Sequence, residues 1–256
     1  MRRLSAEAFV LDVVDLHDRD RIVTFLTSEW GCKRGVTRGA RTKYSRFAGQ
    51  LQPLANAHVG WFEKEGRDLV RIEQVELLQP CRGLLDDLEG ILLASYLAEH
   101  MVQFAQENED SELLYRLLSS TLAWLEGGVD RDLVTRYYEI WVLRLGGIFP
   151  APRDCPSCGR DLSQVGAVLL RSADEIVCES CGSLPRAAVS AAALSFLGRT
   201  RDAAPPSLCA DRTAPKTLRE VEKICAQVRR GFLQQELRSY EVMKATLELE
   251  GELARV

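Results

Sequence analysis

The stretch Gly31-Cys-Lys-Arg-Gly-Val-Thr-Arg-Gly-Ala-Arg-Thr-Lys-Tyr-Ser-Arg-Phe47 contains six cations and three glycines. It lies within a longer segment, residues 30–62, that has no Asp or Glu although 27% of the chain is charged. Cations spaced by flexible glycines, with aromatic residues nearby, suit a surface that holds nucleic-acid phosphates and stacks bases. A solvated basic loop would have the same composition, so charge alone leaves both interpretations open.

The candidate nucleic-acid-binding residues are its cations and two of its aromatic residues, and Trp61 is a further candidate for base stacking. They are Lys33, Arg34, Arg38, Arg41, Lys43, Arg46, Tyr44 and Phe47.

Short apolar or alternating runs on both sides of this stretch predict β-strands. The five predicted strands are residues 9–14, 21–27, 33–38, 55–62 and 69–75. Five short strands separated by turns indicate a small barrel of the OB type, and an SH3-like barrel would give nearly the same pattern. Residues 39–53 then form the long connection between the third and fourth strands.

From residue 84 onwards the apolar residues recur at helical spacing. Three helical faces are predicted: Leu85, Leu88, Leu92 and Tyr96; Leu114, Leu118, Leu122 and Leu125; and Val134, Tyr138, Trp141 and Leu145. Asp110-Ser111 and Asp130 are predicted N-caps, and Gly127-Gly128 and Gly146-Gly147 are predicted stops. Further along, the sequence predicts a short helix over residues 190–197 ended by Gly198 and a loop over residues 199–215. A longer helix marked by Leu218, Val221, Cys225, Val228 and Phe232 follows, and then a terminal helix.

The strongest local motif is a pair of cysteine knuckles. Cys155-Pro-Ser-Cys158 is followed after 19 residues by Cys178-Glu-Ser-Cys181. This spacing predicts one structural Zn²⁺ bound by Cys155, Cys158, Cys178 and Cys181, because four thiolates fill a tetrahedral ion and leave no position for water. Two unrelated cysteine pairs without metal are the alternative. The remaining cysteines have no ligand spacing and are predicted to be buried or bystander thiols.

Composition and missing motifs narrow the class of protein. The formal net charge is −4, and neither a signal peptide nor a long apolar run is found, which predicts a cytoplasmic location without membrane association. Neither a phosphate-binding loop nor a Gly-x-Ser-x-Gly elbow occurs, and none of the three histidines has the His-x-Glu pattern of zinc deaminases. We therefore expect a protein that is not an enzyme.

The predicted fold class is α+β multidomain, with an N-terminal OB-fold β-barrel, an all-α helical domain and a four-cysteine zinc-finger insert. We predict the OB-fold nucleic-acid-binding domain at residues 1–80 and the first part of the helical domain at 81–150. The zinc-finger insert follows at 151–188, and the C-terminal helices of the helical domain occupy 189–256.

Several short motifs occur in an order that resembles the bacterial recombination mediator family RecO. They are Asp20-Arg-Ile-Val-Thr-Phe-Leu-Thr27, Glu29-Trp-Gly31, Arg38-Gly-Ala-Arg41, Ser45-Arg-Phe47, Gln52-Pro53, Trp61-Phe62 and Ile72-Glu-Gln-Val-Glu76. The approach to Cys155, the paired knuckles and Leu237-Arg-Ser239 extend the resemblance over nearly the whole chain. It departs at Cys32, where a basic residue is usual, and at Lys33, where an apolar residue is usual.

The resemblance implies binding of single- and double-stranded DNA and annealing of complementary strands. With a partner, RecR, such a protein would load RecA onto strands coated by the single-stranded-DNA-binding protein, without ATP, in the bacterial nucleoid. The cations carried over from the motif are Arg34, Arg38, Arg41, Lys43 and Arg46, and Lys33 is added from charge alone.

Three other interpretations stay open. An adaptor would act mainly through protein contacts, with an apolar groove in the helical domain taking the acidic and hydrophobic C-terminal tail of the single-stranded-DNA-binding protein. An RNA-binding module would combine the barrel and the zinc element in the same way. A zinc-dependent enzyme is the weakest alternative, since four cysteines leave the metal no open position.

Overall fold

The computed structural model describes residues 2–107, 109–150, 153–172, 175–183, 186–210 and 213–253. Its N-terminal part contains the five strands β1 (Arg2–Leu16), β2 (Asp20–Thr27), β3 (Cys32–Thr37), β4 (Asn56–Glu63) and β5 (Val70–Gln79). They form a closed barrel in the order β1-β2-β3-β5-β4. The β3–β5 pair is parallel and the other pairs are antiparallel. This order confirms the predicted OB-type barrel.

Strand β1 allows the barrel to close because it pairs with two neighbours. Its first half pairs with β4 and its second half with β2, and the register shifts between Val10 and Asp12. Such a bulge bends a strand and increases its twist, which a small closed barrel requires.

Alternation along the strands fills the barrel with apolar side chains. Trp61 and Phe25 are fully buried there, with ring centroids 5.4 Å apart in an edge-to-face arrangement. Phe47, from the connection between β3 and β4, belongs to the same cluster. Aromatic burial of this size is the main source of stability in a barrel of five short strands.

The rest of the chain consists of helices and one small sheet. The helices are α1 (Leu88–Phe104), α2 (Glu112–Glu126), α3 (Arg131–Leu145), α4 (Leu162–Val165), α5 (Ala191–Arg199), α6 (Pro205–Ala210), α7 (Pro215–Leu233) and α8 (Arg238–Leu253). The sheet contains β6 (Ala167–Leu170), β7 (Ile176–Cys178) and β8 (Arg186–Val189), in the order β7-β6-β8.

The predicted helices after the barrel are confirmed, and their starts follow from capping. Asp130 Oδ1 accepts a hydrogen bond from Leu133 N at 2.8 Å, as predicted for the start of α3. Asp87 Oδ1 accepts from Gly90 N at 2.7 Å, so α1 begins at Leu88 and Leu85 precedes it. A side chain that accepts from the first-turn amides fixes the point where a helix can begin.

Two predictions for the C-terminal half were wrong. Gly198 lies inside α5, which continues to Arg199, because a single glycine lowers helix stability without ending the helix. The predicted loop contains α6, since proline is compatible with the first turn of a helix, where Pro205 lies. The longer helix marked by Phe232 is confirmed as α7, on whose last turn Phe232 is 54% exposed.

The chain divides into two compact units. The first comprises residues 1–119 and 237–256, and the second comprises residues 120–236, which include the cysteine knuckles. In the first unit α8 packs on α1, and Glu99 accepts hydrogen bonds from the backbone amides of Arg238 and Ser239 at 3.2 and 2.7 Å and from the Ser239 hydroxyl. The predicted domain boundaries stay predictions, and the one at residue 151 lies outside the described residues. In the described part of the chain, the helices are too short or too polar to cross a bilayer.

The first testable prediction concerns Gly35, where β3 meets β5. A Cβ added there would lie 2.6 Å from Ile72 Cγ1 and 2.8 Å from Val70 Cγ2. Because Ile72 is buried and cannot move aside, we expect Gly35→Ala to lower the free energy of unfolding by about 1–3 kcal/mol in urea denaturation.

Gly60→Ala is the matched control, since Gly60 also lies within a barrel strand but its added Cβ would only touch Gln74 Cβ at 3.6 Å. Its unfolding free energy should stay within about 0.5 kcal/mol of the unsubstituted protein, or rise. Equal effects of the two substitutions would show that close packing at Gly35 does not limit the barrel.

Candidate nucleic-acid interface and metal centre

Strand β3 places successive cations on opposite faces of the barrel wall. Arg34 pairs with Thr24 of β2 and is exposed, whereas Lys33 pairs with Phe25, whose ring lies in the core. Side chains of directly paired residues share a face of the sheet, so Arg34 points outward and Lys33 inward.

The connection between β3 and β4 is a chain of tight turns held to the barrel. Backbone amides donate to carbonyls three residues earlier from Ser45 to Thr42, from Ala48 to Ser45 and from Gln50 to Phe47, at 3.0–3.1 Å. The Phe47 side chain is only 2% exposed and anchors the loop in the core. This anchoring fixes the loop while its cations face outward.

The exposed residues of this segment form one candidate set, here called the basic face. It consists of Arg34, Arg38, Arg41, Lys43, Tyr44 and Arg46. Tyr44 is 90% exposed, and the Lys43 ammonium lies 5.8 Å from its ring centroid. Proteins that bind single-stranded nucleic acids stack the bases on exposed aromatic rings that lie among cations.

Arg41 is the best-oriented cation of the basic face. Its Nη1 donates to the carbonyl oxygen of His17 at 2.6 Å, and its Nε lies 3.3 Å from Asp15 Oδ2. Arg21 Nε also donates to Asp15, at 3.1 Å. One carboxylate therefore serves two guanidinium groups and orients Arg41.

Three of the predicted candidates are corrected by their burial. Lys33 is only 3% exposed, and its Nζ donates to Glu63 Oε1 at 2.7 Å. Phe47 and Trp61 lie in the barrel core, where a base could not reach them. Of the aromatic candidates, only Tyr44 has an accessible ring.

Cys32 occupies the outer face of β3 but is covered by another part of the chain. Its amide donates to the Gln106 carbonyl at 3.1 Å, and its side chain is buried. Burial, with a smaller effect of Glu107, raises the pKa of the Cys32 thiol to about 12. The departure from the RecO motif thus has a structural reason, because the lysine fills the interior position and the cysteine the covered one.

Arg3 is an exposed cation that the sequence reasoning missed. It pairs with Phe62 of β4, and its guanidinium carbon lies 6.0 Å from the Phe62 ring centroid. Arg3 and Arg46 line one groove of about 420 Å³ together with Glu73 and Glu76, so the groove carries charges of both signs. Strand pairing and the connection between β3 and β4 bring these residues together, so spacing along the chain gave no signal for it.

The four predicted metal ligands converge in the second unit. The Sγ atoms of Cys155, Cys158, Cys178 and Cys181 all lie within 4.8 Å of one another. The Cys158 and Cys178 sulfurs are 3.7 Å apart. Tetrahedral zinc with Zn–S bonds of about 2.3 Å places its sulfurs about 3.8 Å apart, so this donor set fits such an ion.

Local hydrogen bonds form both knuckles and prepare their thiols for a metal. In the second knuckle, the amides of Cys181 and Gly182 both donate to the Cys178 carbonyl at 3.0 Å. The Ser180 hydroxyl lowers the pKa of the Cys178 thiol to about 6, and the Cys178 amide lowers the pKa of Cys155. Hydrogen bonds with Cys178 and Cys158 raise the pKa of Cys181 to about 12. A cation that binds here must displace the remaining protons.

The first unit contains a larger apolar groove, of about 750 Å³. Leucine, valine and proline side chains line much of it: Leu11, Val13, Leu51, Pro53, Leu92, Val102 and Val242. Arg21 and Arg238 also line it, as do Asp12 and Glu99, so its apolar wall is bordered by charges of both signs.

Two family models match this chain. The family model described as recombination protein O N terminal matches residues 1–81, and the one described as recombination protein O C terminal matches residues 85–241. The chain belongs to the RecO family. The resemblance inferred from the motifs is thereby confirmed, and with it a role in DNA repair and recombination.

Relatives named DNA repair protein RecO are similar over most of their length. One from Anaeromyxobacter sp. (strain Fw109-5) is 34% identical, over 77% of this chain and 78% of the relative. One from Geobacter metallireducens is 33% identical, over 78% and 80%. One from Roseiflexus sp. (strain RS-1) is 30% identical, over 93% and 84%.

The second prediction concerns the buried ion pair of the RecO-family barrel. Lys33→Ala removes the partner of Glu63 and leaves space in the barrel, so we expect the free energy of unfolding to fall by about 1–2 kcal/mol. Urea denaturation measures this change.

Arg34→Ala, at the next and exposed position of β3, is the control, and its effect should stay within about 0.5 kcal/mol. A loss for Lys33→Ala no larger than that for Arg34→Ala would contradict the interior role of Lys33.

Proposed function

We propose that this RecO-family protein is a DNA-binding recombination mediator and not an enzyme. It binds single- and double-stranded DNA, anneals complementary strands and, with RecR, helps to load RecA onto single strands coated by the single-stranded-DNA-binding protein. The observation that carries the proposal is the basic face, an exposed cation cluster from a segment without acidic residues, on the OB barrel of a RecO-family chain.

The proposed mechanism is electrostatic. Each arginine or lysine that neutralises a phosphate releases condensed counterions, and this release drives binding without reading sequence. Two complementary strands repel each other through their phosphates, so a surface that neutralises one strand lowers the barrier to pairing with the second. Annealing makes no covalent bond, and therefore neither a catalytic side chain nor ATP is needed.

The placement of the basic face agrees with this mechanism. OB folds bind oligonucleotides on the face of strands two and three and on the loops that join strands one and two and strands four and five. Arg34 lies on that face and Arg38 directly follows β3. Arg41, held by the His17 carbonyl, is fixed to the connection between β1 and β2. Tyr44 supplies the one accessible aromatic ring of the predicted set.

We infer that the knuckle cysteines hold one structural Zn²⁺. When bound, the ion would join the two knuckles and so stabilise the small sheet β7-β6-β8, because β7 ends at the ligand Cys178. Four thiolates would leave it no position for a substrate, which supports a stabilising role.

A second candidate role, as a protein adaptor, is favoured by the apolar groove of the first unit. We propose that this groove takes the acidic and hydrophobic C-terminal tail of the single-stranded-DNA-binding protein. Apolar tail residues would pack on Leu92 and Val242, and acidic ones would face Arg21 and Arg238. Such a contact would recruit the mediator to coated strands.

The third prediction tests the basic face by the salt dependence of binding. Five phosphate contacts to single-stranded DNA give a log–log slope of about −3.5, and the triple variant Arg38→Ala, Arg41→Ala, Arg46→Ala should reduce it to about −1.4. Tyr44→Ala should instead weaken binding by about 1–3 kcal/mol at every salt concentration and leave the slope unchanged. Fluorescence anisotropy of a labelled oligonucleotide measures both.

The matched control removes three exposed cations from α7 (Lys216→Ala, Arg219→Ala and Lys223→Ala) and should leave the slope unchanged. The rate of strand annealing, with and without coat protein, should fall only in the basic-face variant. A slope near zero for the unsubstituted protein, or equal losses in both triple variants, would refute the DNA interface. Tighter binding to RNA of the same sequence at the same salt concentration would favour an RNA-binding module.

The fourth prediction tests the groove with a peptide that has several acidic residues and a hydrophobic C-terminus. Arg238→Glu should weaken its binding about tenfold, which corresponds to about 1.4 kcal/mol. Because Glu99 accepts hydrogen bonds from the amides of Arg238 and Ser239, the new carboxylate would lie near Glu99, so circular dichroism must show that the helical content is unchanged. Isothermal titration calorimetry measures the affinity.

Arg116→Glu, at an exposed position of α2, is the charge-matched control and should leave the peptide affinity unchanged. If the peptide does not bind while DNA affinity is intact, the adaptor role is wrong. Equal weakening by both substitutions would indicate attraction by net charge and not by the groove.

A further inference from the structure

We propose that Arg160 is a positioning residue of the metal centre, which donates hydrogen bonds to ligand sulfurs of both knuckles and slows loss of the metal. Its Nε lies 3.4 Å from Cys158 Sγ, and its Nη2 lies 3.7 Å from Cys178 Sγ and 2.7 Å from Ser180 Oγ. The inference rests on the proposed zinc site.

The side chain and the backbone of Arg160 both take part in the site. The Arg160 carbonyl accepts from the amide of Cys155 at 2.8 Å, which closes the first knuckle. The guanidinium then reaches across to the second knuckle, where Ser180 lies 3.5 Å from the Cys178 sulfur. One residue thus contacts three of the four ligand residues, through one amide and two sulfurs.

The charge of the cluster explains what such a contact would do. Zinc with four thiolates carries two net negative charges, and a guanidinium in hydrogen-bond contact offsets one of them. A thiolate that accepts a charge-assisted hydrogen bond has less electron density available for a proton or an electrophile. Cys158 is exposed, so it is a ligand that such reagents can reach.

Two other arginines near the cluster show that this contact is specific to Arg160. Arg186 Nη1 donates to the carbonyl oxygens of Glu179 and Gly182, at 2.5 and 2.6 Å. Arg186 therefore braces the backbone of the second knuckle through carbonyls. Arg153 is largely exposed, and its Nε lies 3.9 Å from Asp154 Oδ2. These residues supply matched substitutions, since each removes one guanidinium from the same region.

The fifth prediction uses the full chain purified with zinc. The rate of zinc transfer to a chromogenic chelator should rise about 10- to 100-fold in Arg160→Gln and stay unchanged in Arg153→Gln. Arg160→Lys should fall between them, because lysine keeps the charge but lacks the planar fork that reaches both knuckles.

A spectroscopic measurement separates a contact to sulfur from bracing of the fold. With Co²⁺ in place of zinc, the sulfur-to-cobalt charge-transfer bands should shift in Arg160→Gln and keep their energy in Arg186→Gln. Arg160→Lys keeps the test decisive if Arg160→Gln fails to fold.

The outcomes distinguish this inference from the zinc site itself. An unsubstituted protein without stoichiometric zinc would refute the metal centre. Zinc bound at one ion per chain, with the same release rate and cobalt spectrum in Arg160→Gln as in the unsubstituted protein, would overturn only the role of Arg160. Equal faster release and equal band shifts in Arg186→Gln would also overturn it, because bracing alone would then suffice.

Discussion

Closure of the barrel through the parallel β3–β5 pair is the constraint on which the basic face depends. The pair forms because Gly35 lets β3 approach Val70 and Ile72 of β5. Once β3 is fixed in that register, its alternation decides which cations reach solvent. Arg34 then faces outward, whereas Lys33 faces the interior and must find a carboxylate. Closure therefore selects the ligand-facing charges before any ligand is present.

Packing against the barrel also explains why the connection between β3 and β4 is ordered without strands or helices of its own. Phe47 is buried with the barrel aromatics, and the residues before it turn three times in succession. Ordering a loop costs conformational entropy, which burial of one large ring offsets during folding. Cations held in this way lose less entropy when they meet phosphates, which makes binding more favourable.

The sequence predicted the barrel, the main helices and the four clustered cysteines, because each is set by local pattern or spacing. It did not predict that Lys33 is buried, since a charged residue between Cys32 and Arg34 gives no clear alternation of apolar and polar residues. The sequence suggested an apolar groove in the helical domain but did not show that barrel residues line it, because Leu11 and Val242 come from opposite ends of the chain. Failures of this kind arise where tertiary pairing decides exposure or proximity.

The net negative charge of the whole chain limits where a polyanion is attracted to its surface. A net charge of −4 repels polyanions from most of the surface, so attraction is concentrated on the exposed cations of the basic face. Asp15 lies beside Arg41 and orients it, and Arg21 shares the same carboxylate. A strand held on one face only, through its phosphates, keeps its bases available to a complement. In the proposed mechanism, confinement of charge therefore favours annealing, whereas a uniformly basic surface would cover the strand and block it.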